Sequence, residues 1–470
     1  MKKIIIILLL LSIQIFGQQD TISLNYLLHS RNETKKERTI NILENILEKE
    51  KTLRKRSKLP DFSLKLNAPN YSRSINEVMQ PDGDNVFREV NNISSDISLS
   101  LSQKIPNLGS VITINNTFKR LDYLSDKTHS YSASWFNINI SQPLNFFNVE
   151  KWDNKIFEAS SKQKEFEIKK QRIEKEQDII ELFFYMLINQ EYQISIQKKI
   201  DYIKELKKYK DKLIRKEYAN EFDSIEININ YLESISAKDE ILSSKILLIN
   251  KLNSLFVNNV LDERGYLKEP NINKYDIPEL QYLKLSFEEY FSNYRDNLLI
   301  PKEKEIKEKK SRKFYSGNIA LGYGYNNNDN NFQKLFDSPN SRSNLSLSLQ
   351  IPIFDFGKEK LNSEILELEY SKISNDLIMK KSDYLYNIDV NYNNLNKISD
   401  KINSLIKLIE LRELQLEKMK PLLIKGYILY FDYEKKELDL YESKIKKIEL
   451  LKDYYMSILE IEKLTFLKIL

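Results

Sequence analysis

At 470 residues the chain is long enough for two or three domains, and 30% charged residues with a mean hydropathy of -0.50 make it polar on average. Only nine glycines disfavour a doubly wound α/β enzyme with phosphate loops and favour long helices. The absence of cysteine excludes disulfides, thiolate metal sites, cysteine nucleophiles and an N-terminal lipid-bearing cysteine, and a net charge of +5 gives no case for nucleic acid.

The chain opens MKKIIIILLLLSIQIFG, with Lys2 and Lys3 ahead of an apolar core, Ile4 to Phe16, and the small Gly17. This pattern predicts a secretory signal peptide over residues 1–17; the alternative is an uncleaved anchor. Its removal takes away two positive charges and no acids, leaving +3. No other window approaches an apolar run of membrane length, so an exported product that enters a membrane must do so through strands.

The first half, residues 18–257, begins with a short helix signal, TISLNYLLHS, and a charged helix over Thr34 to Leu59 that Pro60 ends. Strands are predicted over about 61–142 from alternation with period two. Phe62, Leu64 and Leu66 share one face, and Ile97, Leu99 and Leu101 alternate with serines. Ile112 with Ile114, and Phe136 with Ile138 and Ile140, continue the pattern, while KIPNLGSVITINN at Lys104–Asn116 reads as a hairpin. Strands with one apolar face and one Ser/Asn/Gly face suit a barrel with lipid outside and water inside; the alternative is a soluble sandwich with one solvated face. At Pro143 the pattern switches from strand to helix. A helical hairpin follows over about 149–257, with Ile196, Ile203, Leu206 and Leu213 before a break near Asn220 and Phe222, Ile225, Ile229 and Leu232 after it.

A Pro/Asp/Asn-rich connector is expected at 258–285, halfway along the helical part. The second half, residues 286–470, repeats the plan. Its charged helix runs to Arg312, with Pro301 expected at the first helical position. Strands are predicted over about 315–352 (Ile319, Leu321, Tyr323, Tyr325; Leu345, Leu347, Leu349, Ile351), then a switch at Pro352 and Gly357 and a second helical hairpin over about 357–470. Leu395, Ile398, Ile402, Leu405, Ile409, Leu416, Met419 and Leu423 keep heptad spacing with Arg412 as the polar interruption, and Gly426 supplies the left-handed turn. From Pro143 to Asn220 is 77 positions and from Pro352 to Gly426 is 74, which argues for duplication. Each descending helix would run ~100 Å, and each returning helix falls short by ~40–50 Å. The charged helix Thr34–Leu59 is expected to make up the length in the second half, and Phe287–Arg312 in the first. Rods this long cannot bury both faces in one monomer, so oligomerisation is implied.

The switch motifs SQPLNFF (Ser141–Phe147) and LQIPIFDFGK (Leu349–Lys358), with the tips YANEFDSIE and IKGYILYFD, resemble those of the TolC family of outer-membrane efflux proteins. The family's tips carry a glycine, a small or polar residue three on and an acid six on. Here these positions hold Asn220, Asp223 and Glu226 in one copy and Gly426, Leu429 and Asp432 in the other. Asn220 and Leu429 depart from the pattern, as do Lys216 and Leu422 where an arginine often stands.

The resemblance implies a fold that is mainly α with a membrane β-barrel part: a two-repeat subunit of a homotrimer sharing one β-barrel in the outer membrane and a long twelve-helix α-barrel across the periplasm. It implies four strands per subunit, whereas six are offered here; the extra hairpin either enlarges the barrel or lies outside it. It also implies a passive exit duct for a tripartite efflux or type I secretion system in a Gram-negative bacterium. Its partners would be a periplasmic membrane-fusion adaptor, an inner-membrane transporter of RND or ABC type, and outer-membrane lipid. Gating and adaptor docking are then expected at Arg215, Tyr218, Asn220, Glu221, Phe222, Asp223, Glu226, Lys425, Gly426, Tyr427, Ile428, Tyr430 and Asp432. The competing reading of these residues is ordinary solvated turn chemistry.

No catalytic residue, cofactor or metal is expected. His29 and His129 are the only histidines, Glu-Lys pairs such as Glu174/Lys175 suit solvated helix faces, and Gly322-Tyr323-Gly324 precedes no helix. The alternative to a channel is a coiled-coil surface adhesin or periplasmic scaffold with a β head.

Overall fold

The computed structural model describes residues 21–29, 33–79, 83, 85–106, 108–125, 127–144, 147–214, 221–262, 265–270, 277–313, 315–424 and 427–470. The expected signal peptide lies outside the described residues. In chain order come β1 (Thr21–Ile22), α1 (Leu24–His29), α2 (Lys35–Arg56), β2 (Asp61–Met79), β3 (Asn85–Ile105), β4 (Ser110–Tyr123) and β5 (Thr128–Pro143). Next are α3 (Val149–Ile214), α4 (Glu221–Leu255), β6 (Tyr266–Leu267) and α5 (Leu280–Arg312). Last come β7 (Ser316–Asp329), a 3-10 turn (Gln333–Phe336), β8 (Asn340–Gln350), α6 (Lys358–Ile424) and α7 (Tyr430–Thr465).

The chain divides into two compact units. One takes in the described residues up to Glu44 with Glu165–Ser292 and Lys380–Leu470; the other takes in Asn45–Lys164 and Asn293–Met379.

The first unit is helical. Its core is the aromatic and aliphatic run on α3: Ile179, Ile180, Phe183 and Phe184 are fully buried, and Phe184 meets Tyr455 of α7 at 5.5 Å between ring centroids. Leu252 of α4, Phe287 of α5, Ile388 of α6 and Ile458 of α7 are likewise buried. α6 and α7 run back on one another through Ile409 and Leu416, two of the expected heptad positions, packed with Leu440, which that pattern did not include.

The end-to-end stacking of the short helices differs from the sequence expectation. Val257 N–H donates to the Glu33 carbonyl at 2.9 Å and Thr34 bridges Phe256, so α2 begins where α4 stops. Ser286 donates to the Thr465 carbonyl at 2.9 Å and Phe466 packs on Tyr290 at 4.6 Å, so the end of α7 meets α5. Each short helix therefore extends the hairpin of its own half rather than that of the other half. Helix length cannot distinguish the two arrangements; charge pairing does. Lys36–Asp178, Lys175–Glu37 and Arg172–Glu44 lay α2 along α3, while Lys284–Asp389 and Lys381–Glu288 lay α5 along α6.

The connector is tied to this unit by backbone. β1 and β6 pair in parallel, and the Gln190 amide of α3 both accepts from Leu267 N–H (3.0 Å) and donates to its carbonyl (3.1 Å). α5 starts at Leu280, inside the expected connector, and runs through Pro301 without a break. Proline removes one helical hydrogen bond. Ion pairs just past it, Lys302–Glu369 at 3.0 Å and Lys304–Asp153 at 2.6 Å, hold the helix on both sides.

The second unit holds one antiparallel six-stranded sheet, in the order β2-β3-β4-β5-β7-β8. The helical segments that lead into and out of the sheet lie in a row. Arg54 of α2 pairs with Glu150 of α3, Lys304 of α5 with Asp153 of α3, and Lys310 of α5 with Glu367 of α6.

Candidate functional site

The sheet register sorts side chains by chemistry. One cross-strand row reads Phe62, Leu101, Ile114, Ile138, Tyr323; neighbouring rows on that face add Leu66, Ile97 and Phe118, then Ile112, Ile140, Leu321 and Leu345. The opposite face reads Ser63, Ser100, Asn115, Asn137, Gly324 and Asp61, Ser102, Thr113, Asn139, Gly322, Asn344. Side chains on that second face bond one another, as Ser100 does to Asn115 (2.7 Å) and Ser141 to Asn318 (3.0 Å). Gly322 leaves the space that the Asn139 and Asn344 amides fill, so any side chain there would collide with them. Many of the large apolar residues on the first face, including Phe62, Leu64, Leu66, Leu321, Leu345 and Leu347, are exposed, which a water-facing sheet disfavours and a lipid-facing one requires.

Each switch from strand to helix is closed by an Asx side chain that sequence reasoning missed. Pro143 sits at the last rung of β5, opposite Asn318, two residues past the end of the β4–β5 ladder. Asn148 then caps α3 by accepting from Lys151 N–H at 3.0 Å, and its amide donates to the Pro106 carbonyl in the β3–β4 turn at 2.6 Å. Pro352 follows the end of β8 by two residues, and Gly357 has φ +78°, a conformation that side chains resist. Asp355 accepts from Gly357 N–H (3.0 Å) and Glu359 N–H (2.9 Å), capping α6. Those two backbone donors, that of Glu359 first, hold the Asp355 carboxyl below its ordinary pKa. The signal was available: an Asx residue just ahead of each helical run.

Toward the far ends of the hairpins, α3 and α7 meet through Tyr202 stacked on Tyr433 (6.0 Å), Lys199 paired with Glu434 (3.1 Å) and Lys198 over the Tyr441 ring (5.5 Å). Burial, then Tyr433 itself, raises the Tyr202 phenol above its usual value, and burial pushes Tyr441 up to about 12. Tyr427 N–H donates to the Leu422 carbonyl at 2.9 Å, closing the last turn of α6. Leu429 is the N-cap of α7 and makes no side-chain cap bond.

No protein-family model and no curated protein matches the chain. Solved structures do. The CmeC outer membrane channel of Campylobacter jejuni is 13% identical, with 94% of this chain and 85% of that chain covered and a TM-score of 0.63. The outer membrane protein VceC of Vibrio cholerae is 12% identical over 94% and 95% of the two chains, with a TM-score of 0.64. The MtrE outer membrane channel of Neisseria gonorrhoeae, in its open state, is 12% identical over 94% and 87%, with a TM-score of 0.58. The chain has a TolC-like fold.

Within this TolC-like fold, the predicted tip residues fall at the α3–α4 and α6–α7 junctions. Arg215, Tyr218, Asn220, Lys425 and Gly426 lie outside the described residues. Glu221 and Asp223 stand in the first turn of α4, and Tyr430 opens α7. Phe222, Glu226, Tyr427 and Asp432 are exposed and Ile428 is half-buried. The Lys104–Asn116 hairpin lies inside the sheet, between β3 and β4, so all six predicted strands form one surface.

Proposed function

We propose that the protein is an outer-membrane exit duct, a homotrimer whose sheets close into a membrane barrel and whose helices form the periplasmic conduit. The observation that carries this reading is the two-faced sheet: an exposed apolar face and a Ser/Asn/Gly face, in a chain with the fold of outer-membrane channels. Lipid suits the first face and water the second, so a solute path runs along the polar side.

Such a duct performs no chemistry. Solutes arrive from an inner-membrane transporter, of RND or ABC type, through a periplasmic adaptor that docks at the hairpin tips. Exposed acids there, Glu226 and Asp432, would ring the narrowest point and slow anions relative to cations.

The test is fractionation with the outer membrane followed by planar-bilayer recording of the detergent-purified protein. Cation-selective conductance is expected. Release by salt washing without detergent, with no conductance, would favour a coiled-coil scaffold.

A further inference from the structure

Both sides of the sheet-bearing unit end in unsatisfied edges. Among the described residues β2 pairs only with β3 and β8 only with β7, so one row of backbone donors and acceptors is open at each side. The helix row ends the same way. Among the described residues, the open flank of α2 carries Ile46, Lys49 and Leu53 at heptad spacing, all exposed, and that of α6 carries Leu361, Ile365, Leu368, Lys372, Asn375 and Met379, also exposed. Between β8 and α6 lie Ile353 (95% exposed) and Phe356 (88%). Between α2 and β2 lies exposed Leu59.

We propose that a second copy of this chain covers each edge, β8 of one copy pairing antiparallel with β2 of the next and α6 with α2, so that three copies close an eighteen-stranded wall. The number of copies, and with it the total of eighteen, rests on the channel reading above; the six strands per copy and the register do not. β2 leaves the helix-side rim at Asp61 and β8 returns to it at Gln350. Aligning those ends sets Phe62 against Leu349, Leu64 against Leu347 and Leu66 against Leu345, every pair apolar and exposed. The same register sets Ser63 against Ser348 and Lys65 against Ser346 on the polar face. A slip of one residue would put leucine against serine throughout.

Widths agree as well. Six strands tilted ~40° occupy ~38 Å of a wall, and four helices side by side ~36–40 Å. The closed wall is ~36 Å across, against ~24 Å for twelve strands.

Because the chain has no cysteine, introduced thiols report without background. In protein purified from membranes in detergent, Ser63→Cys with Ser348→Cys is expected to oxidise into a ladder ending at a covalent trimer on a denaturing gel. Lys65→Cys with Ser346→Cys should do the same, and each single variant should stay monomeric. A link between Thr113→Cys on β4 and Ser348→Cys, or no link in double variants that still conduct in planar bilayers, overturns the eighteen-stranded wall and leaves the duct standing. Protein that neither links nor conducts overturns both.

Discussion

Arg412 of α6 donates to the Ser443 hydroxyl on α7 and, with the same nitrogen, to the Asp439 carbonyl. A guanidinium thus sits in the seam between two long helices where the heptad pattern calls for an apolar residue. It is satisfied there because Ser443 and a backbone carbonyl face it. Arg412→Ala should destabilise the hairpin by roughly 1.5–3 kcal/mol, the worth of charge-assisted hydrogen bonds. Arg412→Met, which restores an apolar seam, should recover most of that loss. Thermal melts followed by helical circular dichroism distinguish the two.

Phe184 is fully buried between α3 and α7, with Phe183 and Tyr455 on its ring. Phe184→Ala leaves a cavity and should cost about 3–5 kcal/mol. Phe184→Leu should cost clearly less. Denaturant midpoints of the two variants check the order.

The Glu462 carboxylate is buried and accepts from Leu470 N–H at 2.7 Å and from Ile469 N–H, folding the last residues back onto α7; its other oxygen has no hydrogen-bond partner among the described residues and faces the Lys468 ammonium at 3.9 Å. Burial raises its pKa above the ordinary 4.5, outweighing those two donors. A raised folded-state value means the native protein binds this proton more tightly than the unfolded chain. Its contribution to stability is therefore full below about pH 4.5 and is lost as pH rises through the folded value. Glu462→Gln should flatten the fall in melting temperature over that window. An unchanged pH profile would count against this assignment.

Asp355 has the opposite sign. Its depressed pKa means that the cap on α6 stabilises the fold above the unfolded value near 3.8 and is lost as pH falls through the lower folded value. Asp355→Ala should lower the melting temperature at neutral pH and remove this acid-dependent step; Asp355→Asn should keep part of the cap and lose the step.

Leu429 opens α7 with no oxygen to offer the helix's first N–H groups. Leu429→Ser should raise stability by about 1 kcal/mol, read as a higher midpoint with unchanged slope in denaturant.

The sequence by itself determined the strands, the two long hairpins and the prolines between them. Those features are local: alternation at Ile97–Ser102 or heptad spacing from Leu395 to Leu423 needs only neighbours a few residues away, and proline acts on its own backbone. The caps at Asn148 and Asp355 were equally local and were passed over in favour of the more conspicuous prolines and glycine. Only the tertiary structure decided which short helix extends which hairpin, that β5 lies beside β7, and that the extra hairpin joins the sheet. Those choices rest on partners far apart in the sequence, such as Glu33 with Val257 or Ile138 with Tyr323. Period and length are the same whichever partner is chosen, and only the packed chain supplies the hydrogen bonds and ion pairs that distinguish one from another.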